Sequence, residues 1–243
     1  GVAAPITTFT ERNKRVNSVY GTATLSYANK IFLDVTGRND WSSTLPSGNN
    51  SFFYPSVSTS FILSDLLRLP EQISFAKLRA SWAQVGNDTD PYKTAKYYNT
   101  SAFPGSASVS PTLYNARFKP EISNSIEVGL DWRMFKQRFG LDLAFYNNIT
   151  RNQILDVPMD QTTGYTKATM NSGKVRNRGI ELQLDGTPVK TKNFTWNSTF
   201  TWAKNYNKVL SLAAGLTDGQ TIAYTGGTNC ALIAKVGGSI GDI

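Results

Sequence analysis

The chain has 243 residues, of which 40% are hydrophobic and 12% aromatic, and its formal net charge is +8. This apolar content is enough for a sizeable core, which sets aside intrinsic disorder and a disulfide-stapled miniprotein. Histidine is absent and Cys230 is the single cysteine. Histidine-based triads, multi-ligand zinc sites and intrachain disulfides are therefore excluded, and we expect no enzyme, no metal site and no cofactor.

Apolar and polar residues alternate with a period of two along much of the chain, which is typical of strands whose two faces meet different surroundings. We predict four hairpins. Their strands are 19–27 with 33–38, 57–63 with 77–82, 125–133 with 140–145, and 178–185 with 194–202. A ninth strand is predicted at 235–243.

Short connections join the two strands of each hairpin. Residues 28–30, 135–138 and 187–193 read as turns, and 64–73 is long enough for one helical turn with Ser64 as its N-cap. The connections between hairpins are much longer and rich in Asn, Gly, Ser and Thr; they are 40–51, 86–121, 148–174 and 206–234. Short turns at one end and long loops at the other are typical of outer-membrane β-barrels rather than of soluble sandwiches.

The strands also have membrane length, since a tilted membrane strand needs about 9 to 11 residues. No run of about 18 apolar residues predicts a transmembrane helix. Aromatic residues collect near the strand ends, as interfacial girdles require. They include Tyr27, Phe32, Phe52, Phe53, Tyr54, Trp82, Trp132, Phe135, Phe139, Tyr146, Phe194 and Trp202. The simpler alternative is that aromatic residues favour strands in general.

Charged residues fall on the opposite side of the strands from the apolar ones. We predict that one face carries Asp34, Arg38, Lys77, Arg79, Glu127, Asp131, Arg133, Asp142, Arg176, Glu181 and Asp185. So many charges need water or another polar body, because a dry core does not tolerate them unpaired. In a barrel this face lines a wet lumen; in a soluble sheet it faces solvent.

Several short strings along the chain are distinctive in combination. They begin at Tyr20 (YGTATLSY), Phe32 (FLDVTGRNDWSS), Phe53 (FYPSVS), Lys77 (KLRASW), Glu127 (EVGLD), Leu143 (LAFYN), Met170 (MNSG), Asn177 (NRGIEL) and Gly237 (GGSIGDI). In this order they resemble the barrel of SusC/RagA-type TonB-linked outer-membrane proteins. Each string alone is weak, but their joint order and spacing are specific.

The resemblance implies an all-β, antiparallel transmembrane barrel of 22 strands, of which this chain supplies about eight or nine, with short periplasmic turns and long extracellular loops. It also implies an N-terminal plug, energy from an inner-membrane TonB complex, a SusD-like surface lipoprotein, and import of oligosaccharides or peptides. The location implied is the outer membrane of a Gram-negative, Bacteroidetes-type cell, in contact with its lipid. The sequence shows neither plug, TonB box nor closing strand, so we expect residues 1–243 to be a central part of the barrel domain.

For an importer the relevant chemistry is binding. Candidate ligand-binding residues in the loops are Trp41, Tyr92, Tyr97, Tyr98, Phe103 and Tyr114, and candidate lumen-facing polar residues are Asp34, Arg38, Arg79, Glu127, Asp131 and Glu181. Aromatic rings stack on sugars, and carboxylates hydrogen-bond hydroxyl groups or peptide amides. The interpretation that we favour for the loop rings is packing of the loop against itself or a lid protein, and for Trp41 it is anchoring at the membrane interface.

Other functions stay open at this point. One is a passive porin or structural outer-membrane barrel, or a subunit of a larger envelope complex. Another is a secreted, soluble, all-β carbohydrate-binding protein. Nucleic-acid binding is not expected, because Lys and Arg are scattered rather than grouped with stacking aromatics on one strand face.

Overall fold

A computed structural model describes residues 11–100, 105–171, 173–212, 220–224 and 231–239. Its elements follow in chain order. They are β1 (Val16–Tyr27), β2 (Ile31–Ser42), β3 (Ser51–Ile62), α1 (Leu63–Leu66), β4 (Ile73–Asn87), β5 (Tyr98–Thr100), β6 (Ala107–Val109), β7 (Thr112–Leu113), β8 (Glu121–Met134), β9 (Phe139–Arg151), β10 (Ile154–Pro158), a 3-10 turn (Gln161–Thr163), β11 (Lys167–Asn171), β12 (Lys174–Lys190), β13 (Thr195–Ser211), β14 (Gln220–Tyr224) and β15 (Ala231–Ala234).

The largest sheet among the described residues has eight strands in the order β1-β2-β3-β4-β8-β9-β12-β13. Every neighbouring pair in it is antiparallel. The four predicted hairpins are therefore confirmed. The strands are longer than the alternation indicates, from 12 residues in β1 to 17 in β12 and β13. The pattern fades near their ends because both faces become polar there.

The long connections contain small sheets of their own. β5 pairs with β6, β10 and β11 join β7 in a three-stranded sheet, and β14 pairs with β15. Leu45, Phe52 and Phe118 form a small buried cluster that joins the loop after β2, the start of β3 and the loop before β8. The long loops are thus fastened to one end of the sheet.

Two details differ from the sequence prediction. Ser64 does not cap the helical turn: α1 begins at Leu63, its N-cap is Ile62, and no side chain caps it. The predicted ninth strand is wrong over 235–239, where the chain makes a turn in which the Gly238 backbone N–H donates to the Lys235 carbonyl. Residues 240–243 of that prediction lie outside the described residues.

One row of directly paired apolar residues crosses all eight strands. Its members are Tyr27, Ile31, Phe61, Leu78, Leu130, Leu143, Leu182 and Trp202. The distance of this row from the short turn grows from one hairpin to the next. In the first hairpin the row lies next to the turn between β1 and β2, whereas Leu130 lies four positions before the end of β8 and Leu182 eight positions before the end of β12. Such a stagger between successive hairpins is what a sheet of tilted barrel strands requires.

The apolar side of the sheet is not covered by any other element that the structure describes. Val19, Phe53 and Phe200 are 66%, 58% and 56% exposed on this side. Fully burying one such side chain is worth about 1.5–3 kcal/mol. A sheet face that leaves many of them uncovered therefore needs a non-aqueous surrounding. Within the described residues, no helix has the length and apolar character needed to cross a membrane.

Candidate functional site

One side of the sheet, called here the polar face, carries polar side chains on every strand. A single paired row shows this: Thr24, Asp34, Ser58, Ser81, Glu127, Tyr146, Gly179 and Asn205. Alternate residues of a strand face the same side of the sheet, a rule called strand parity here. Strand parity places all six predicted polar residues on this face: Asp34, Arg38, Arg79, Glu127, Asp131 and Glu181. The prediction for Arg176 is wrong, because it pairs with Ile149 and Lys208 and lies on the apolar side.

Arg79 holds together three strands of the polar face. It stands directly opposite Gly129 on β8, and its guanidinium lies where a side chain at Gly129 would be. Crossing the glycine, it donates two hydrogen bonds to the carboxylate of Asp142 on β9, at 2.8 and 3.1 Å. Its Nε also lies 3.8 Å from the Glu127 carboxylate. A bidentate pair of this kind fixes geometry as well as charge.

Arg133 repeats the arrangement one strand further on. It stands opposite Gly140 on β9, crosses it, and reaches Asp185 on β12 at 3.3 Å. The same guanidinium donates to Asp131 on its own strand at 2.8 Å. Asp185 also accepts a hydrogen bond of 2.9 Å from Thr199 on β13, so this group links β8 to β13.

A third crossing uses an aromatic residue. Tyr146 on β9 stands opposite Gly179 on β12, and its ring occupies the space above the glycine. Its hydroxyl donates to the Asn205 side chain on β13 at 3.2 Å. We call Gly129, Gly140 and Gly179 the glycine seats, because each lets a long polar side chain lie flat on the sheet and bond to the strand beyond.

Carboxylates outnumber cations on the polar face. Strand parity gives eight carboxylates, Asp34, Asp40, Glu121, Glu127, Asp131, Asp142, Glu181 and Asp185, against five cations, Arg38, Lys77, Arg79, Arg133 and Lys190. A recess of about 440 Å³ lies among Arg79, Glu127, Asp142, Glu181 and Thr201. Its lining offers charged and hydroxyl groups to a polar solute and suits neutral or cationic groups better than anions.

A second charged group lies near the loop end of β2. Arg38 donates from Nε to Asp40 at 2.8 Å and from Nη2 to Ser18 at 3.0 Å. Tyr54 on β3 donates its hydroxyl to the other oxygen of Asp40. Sequence reasoning missed Asp40 and Tyr54, although Asp40 follows Arg38 by two positions and so shares its face.

The loops above β4 and β9 enclose a recess of about 310 Å³, called here the tyrosine recess. Its lining includes Tyr92, Tyr97, Tyr114, Asp156 and Lys167. The rings of Tyr97 and Tyr114 stack with centroids 5.4 Å apart, and their hydroxyl oxygens are 2.9 Å apart. Asp156 accepts hydrogen bonds from Lys167 at 2.7 Å and from Thr169 at 2.6 Å.

The charges of the tyrosine recess are set by these contacts. Burial acts to raise the pKa of Asp156, but the hydrogen bonds from Lys167 and Thr169 outweigh it and lower the pKa below its usual value. The hydrogen bond with Tyr114 raises the pKa of Tyr97. The recess therefore presents an ionised carboxylate at neutral pH, beside the Lys167 side chain and the two stacked tyrosine rings.

The predicted aromatic candidates divide into three groups. Tyr92, Tyr97 and Tyr114 line the tyrosine recess. Tyr98 is 72% exposed outside it, and Trp41 is 40% exposed on the apolar side at the loop end of β2. Phe103 lies outside the described residues. Asp156 and Lys167 were missed as partners, because they come from a separate loop and nothing in the sequence pairs the two.

Among the residues that the structure describes, no three Asp, Glu or Cys side chains are grouped as a metal site would need. The side chains that line the two recesses offer groups for hydrogen bonding, ion pairing and ring stacking.

The chain is similar to known proteins over most of its length. Residues 1–235 match the family described as TonB dependent receptor-like, beta-barrel. TonB-dependent receptor P26 of Formosa agariphila is 33% identical over 207 residues, which are 82% of this chain and 21% of that protein. TonB-dependent receptor SusC of Bacteroides thetaiotaomicron is 26% identical over 230 residues, 86% of this chain and 22% of that protein.

Two solved structures show the same fold. The RagAB peptide transporter superimposes with a TM-score of 0.83 at 23% identity, covering 92% of this chain and 25% of that one. The siderophore receptor PirA from Pseudomonas aeruginosa gives a TM-score of 0.56 at 16% identity, covering 81% and 37%. The chain spans about a fifth of the length of the curated relatives that it matches.

Proposed function

The chain belongs to the TonB-dependent receptor β-barrel family, and on that premise we propose that the complete protein imports a large polar nutrient, an oligosaccharide or a peptide. Its partners in this proposal are a SusD-like surface lipoprotein and the TonB complex, which acts through a plug outside this chain. The resemblance to SusC/RagA proteins expected from the sequence is confirmed, and with it the location in the outer membrane as a multi-pass β-barrel. A secreted, soluble protein is wrong for this chain.

In our proposal residues 1–243 form part of the barrel wall, with the polar face towards the lumen and the apolar face towards lipid. The observation that carries the proposal is the polar face itself. Its charges are bonded to one another across strands through the glycine seats, so they line the wall without obstructing it. A hydrated, carboxylate-rich wall suits the passage of a polar solute, and we propose no bond-making chemistry for it.

The tyrosine recess supplies a site where a solute is first held. Stacked tyrosine rings offer apolar faces to a sugar or to a peptide side chain, and the paired Asp156 and Lys167 offer hydrogen bonds to hydroxyl or amide groups. The recess is open to solvent at the loop end of the sheet. Among substrates, we favour neutral or cationic ones over polyanionic glycans, because carboxylates predominate on the wall below.

The proposal is tested by uptake in cells that carry the complete gene. We expect uptake of labelled neutral oligosaccharides or of labelled peptides, but not of both at equal rates, and loss of uptake when TonB is deleted. The double variant Tyr97→Ala/Tyr114→Ala is expected to lower apparent affinity about tenfold or more, since it removes both aromatic rings on which the solute would stack. Tyr165→Ala, in the same loops but outside the recess, is the matched control.

Each outcome bears on one part of the proposal. Uptake that persists at full rate without TonB would mean a passive porin and overturn active import. Equal loss in the Tyr165 control and the double variant would show that general loop disruption, rather than the recess, is responsible. Copurification of a surface lipoprotein with the tagged protein tests the SusD-like partner separately.

A further inference from the structure

The apolar face of the sheet carries an unexpected group of cations at one end. They lie on three neighbouring strands and are called here the basic cluster: Arg151 on β9, Lys174, Arg176 and Arg178 on β12, and Lys204 and Lys208 on β13. Along the eight described strands, no carboxylate falls on the same face. The apolar face is therefore neutral except at this end, where it is strongly basic.

The cluster lacks its own counter-charge. Arg176 stands directly opposite Lys208, and Lys174 directly opposite Arg151. Like charges placed opposite one another on neighbouring strands are destabilising. No member makes an ion pair with a carboxylate within the part of the chain that the structure describes. An anion that lies over the cluster would relieve this repulsion.

The position of the cluster relative to the membrane identifies the source of that anion. All six residues lie at the end of the strands that carries the long loops, which in outer-membrane barrels is the extracellular end. Towards the loop end, Arg178 precedes Ile180 by two positions and Lys204 follows Trp202 by two, so the cations begin where the apolar band stops. Charged side chains there reach the headgroup layer of the outer leaflet by extending their long stems.

An apolar hollow lies directly below the cations. It has a volume of about 750 Å³ and is lined by Ile126, Val128, Phe145, Ile180 and Tyr206, with Arg178 at its rim. The ring of Tyr206 is also the partner of the Lys204 ammonium, whose nitrogen is 5.1 Å from the ring centroid. An apolar hollow bordered by cations matches a molecule with a phosphate head and an acyl chain.

We propose that the basic cluster and this hollow bind a phosphorylated glycolipid of the outer leaflet, with its phosphate groups on the cations and one acyl chain in the hollow. This inference rests on membership of the barrel family and not on the transported substrate. It would stand if the import proposal failed.

The test uses the complete protein, purified in a detergent that replaces lipid. Diphosphoryl lipid A, the same lipid without phosphates, and inorganic phosphate are added in parallel, and native mass spectrometry counts the lipids retained. We expect retention of the diphosphoryl form, little retention of the dephosphorylated form, and no competition by inorganic phosphate at equal concentration. Equal retention of the two lipids would overturn the proposal, and so would full displacement by free phosphate.

Variants locate the binding. Arg178→Gln/Lys204→Gln is expected to weaken retention roughly 30-fold, since each cation near an anionic headgroup contributes about 1 kcal/mol. The control Arg68→Gln/Lys136→Gln removes two exposed cations at the short-turn end and is expected to retain lipid like the parent protein. Equal weakening in both double variants would mean nonspecific attraction and overturn the site. Arg178→Lys/Lys204→Arg keeps both charges and is expected to retain the lipid within about threefold.

If the parent protein forms a dimer through this face and retains no lipid, the occupant is a second copy of the chain and the lipid proposal is wrong. Size measurement in the same detergent, with and without lipid A, distinguishes that result.

Discussion

The two faces of the eight-stranded sheet use charge in opposite ways. On the polar face carboxylates exceed cations, and the central charges are bonded across strands, as in Arg79 with Asp142 and Arg133 with Asp185. On the apolar face charges are absent except for the basic cluster at the loop end, which has cations only. The net charge of +8 describes neither face. In our proposals each face carries what suits its surroundings: water and solute on the polar side, hydrocarbon and headgroups on the apolar side.

The largest loss of stability is expected from a charge placed in the middle of the apolar face. Leu182→Arg is expected to lower the free energy of unfolding by about 2–4 kcal/mol, the cost of a cation near the bilayer midplane. The matched control is Gln183→Arg, the next residue on the same strand. Position 183 lies on the polar face directly opposite Asp142, so the control is expected to change stability by less than about 1 kcal/mol.

Both variants are measured by denaturant unfolding of the complete protein in lipid bilayers. Equal destabilisation by the two substitutions would contradict the assignment of the faces, because only position 182 is assigned to the side that faces lipid.

A smaller effect is expected from removing the central cation of the polar face. Arg79→Ala leaves Asp142 without its two hydrogen bonds and is expected to cost about 1 kcal/mol, since both side chains are about one-third exposed. Gly129→Ala is expected to have a similar effect, because the added methyl group displaces the same guanidinium from its seat. Since both changes remove one interaction, their combination should cost little more than either alone. Additive costs, measured in the same unfolding assay, would show that the glycine acts independently of Arg79.

The smallest effect concerns the loops above the polar face, where charge pairing continues outside the membrane. The pKa of Asp156 is lowered in the folded protein, so its ionised form stabilises the β10–β11 pair. That contribution is present above the ordinary carboxyl pKa and is lost as pH falls through the lowered value, with a change of no more than about 1 kcal/mol.

Hydrogen exchange of residues 154–171, corrected for the intrinsic pH dependence of exchange, measures this loss as pH is lowered from neutral to below the ordinary carboxyl pKa. Asp156→Asn is the control and is expected to show lower protection at neutral pH with no further loss on acidification. A pH response that remains in the Asn variant would assign the effect to another group.

Local alternation was sufficient to predict the four hairpins and most of the charged residues of the polar face, because each strand is wetted on one side only. It was insufficient where both sides are polar. Arg176 lies beyond the apolar band, and counting from Asp185 along β12 gives it the opposite parity. The pairing of Arg79 with Asp142 was also out of reach, since β8 lies between their strands and only the register with Gly129 brings them together. The tyrosine recess combines loops that are distant in sequence, and strand periodicity carries no information about them.

The glycine seats have a consequence for the bore of the barrel. Arg79, Arg133 and Tyr146 each lie along the sheet instead of standing upright from it. With the polar face towards the lumen, as we propose, these long side chains take up little of the clearance inside. A bulky residue at Gly129, Gly140 or Gly179 would make these side chains stand up and narrow the passage. Wall charge and passage width are thus separately adjustable, and a change of three small residues would alter the size limit for a solute while leaving the charged residues in place.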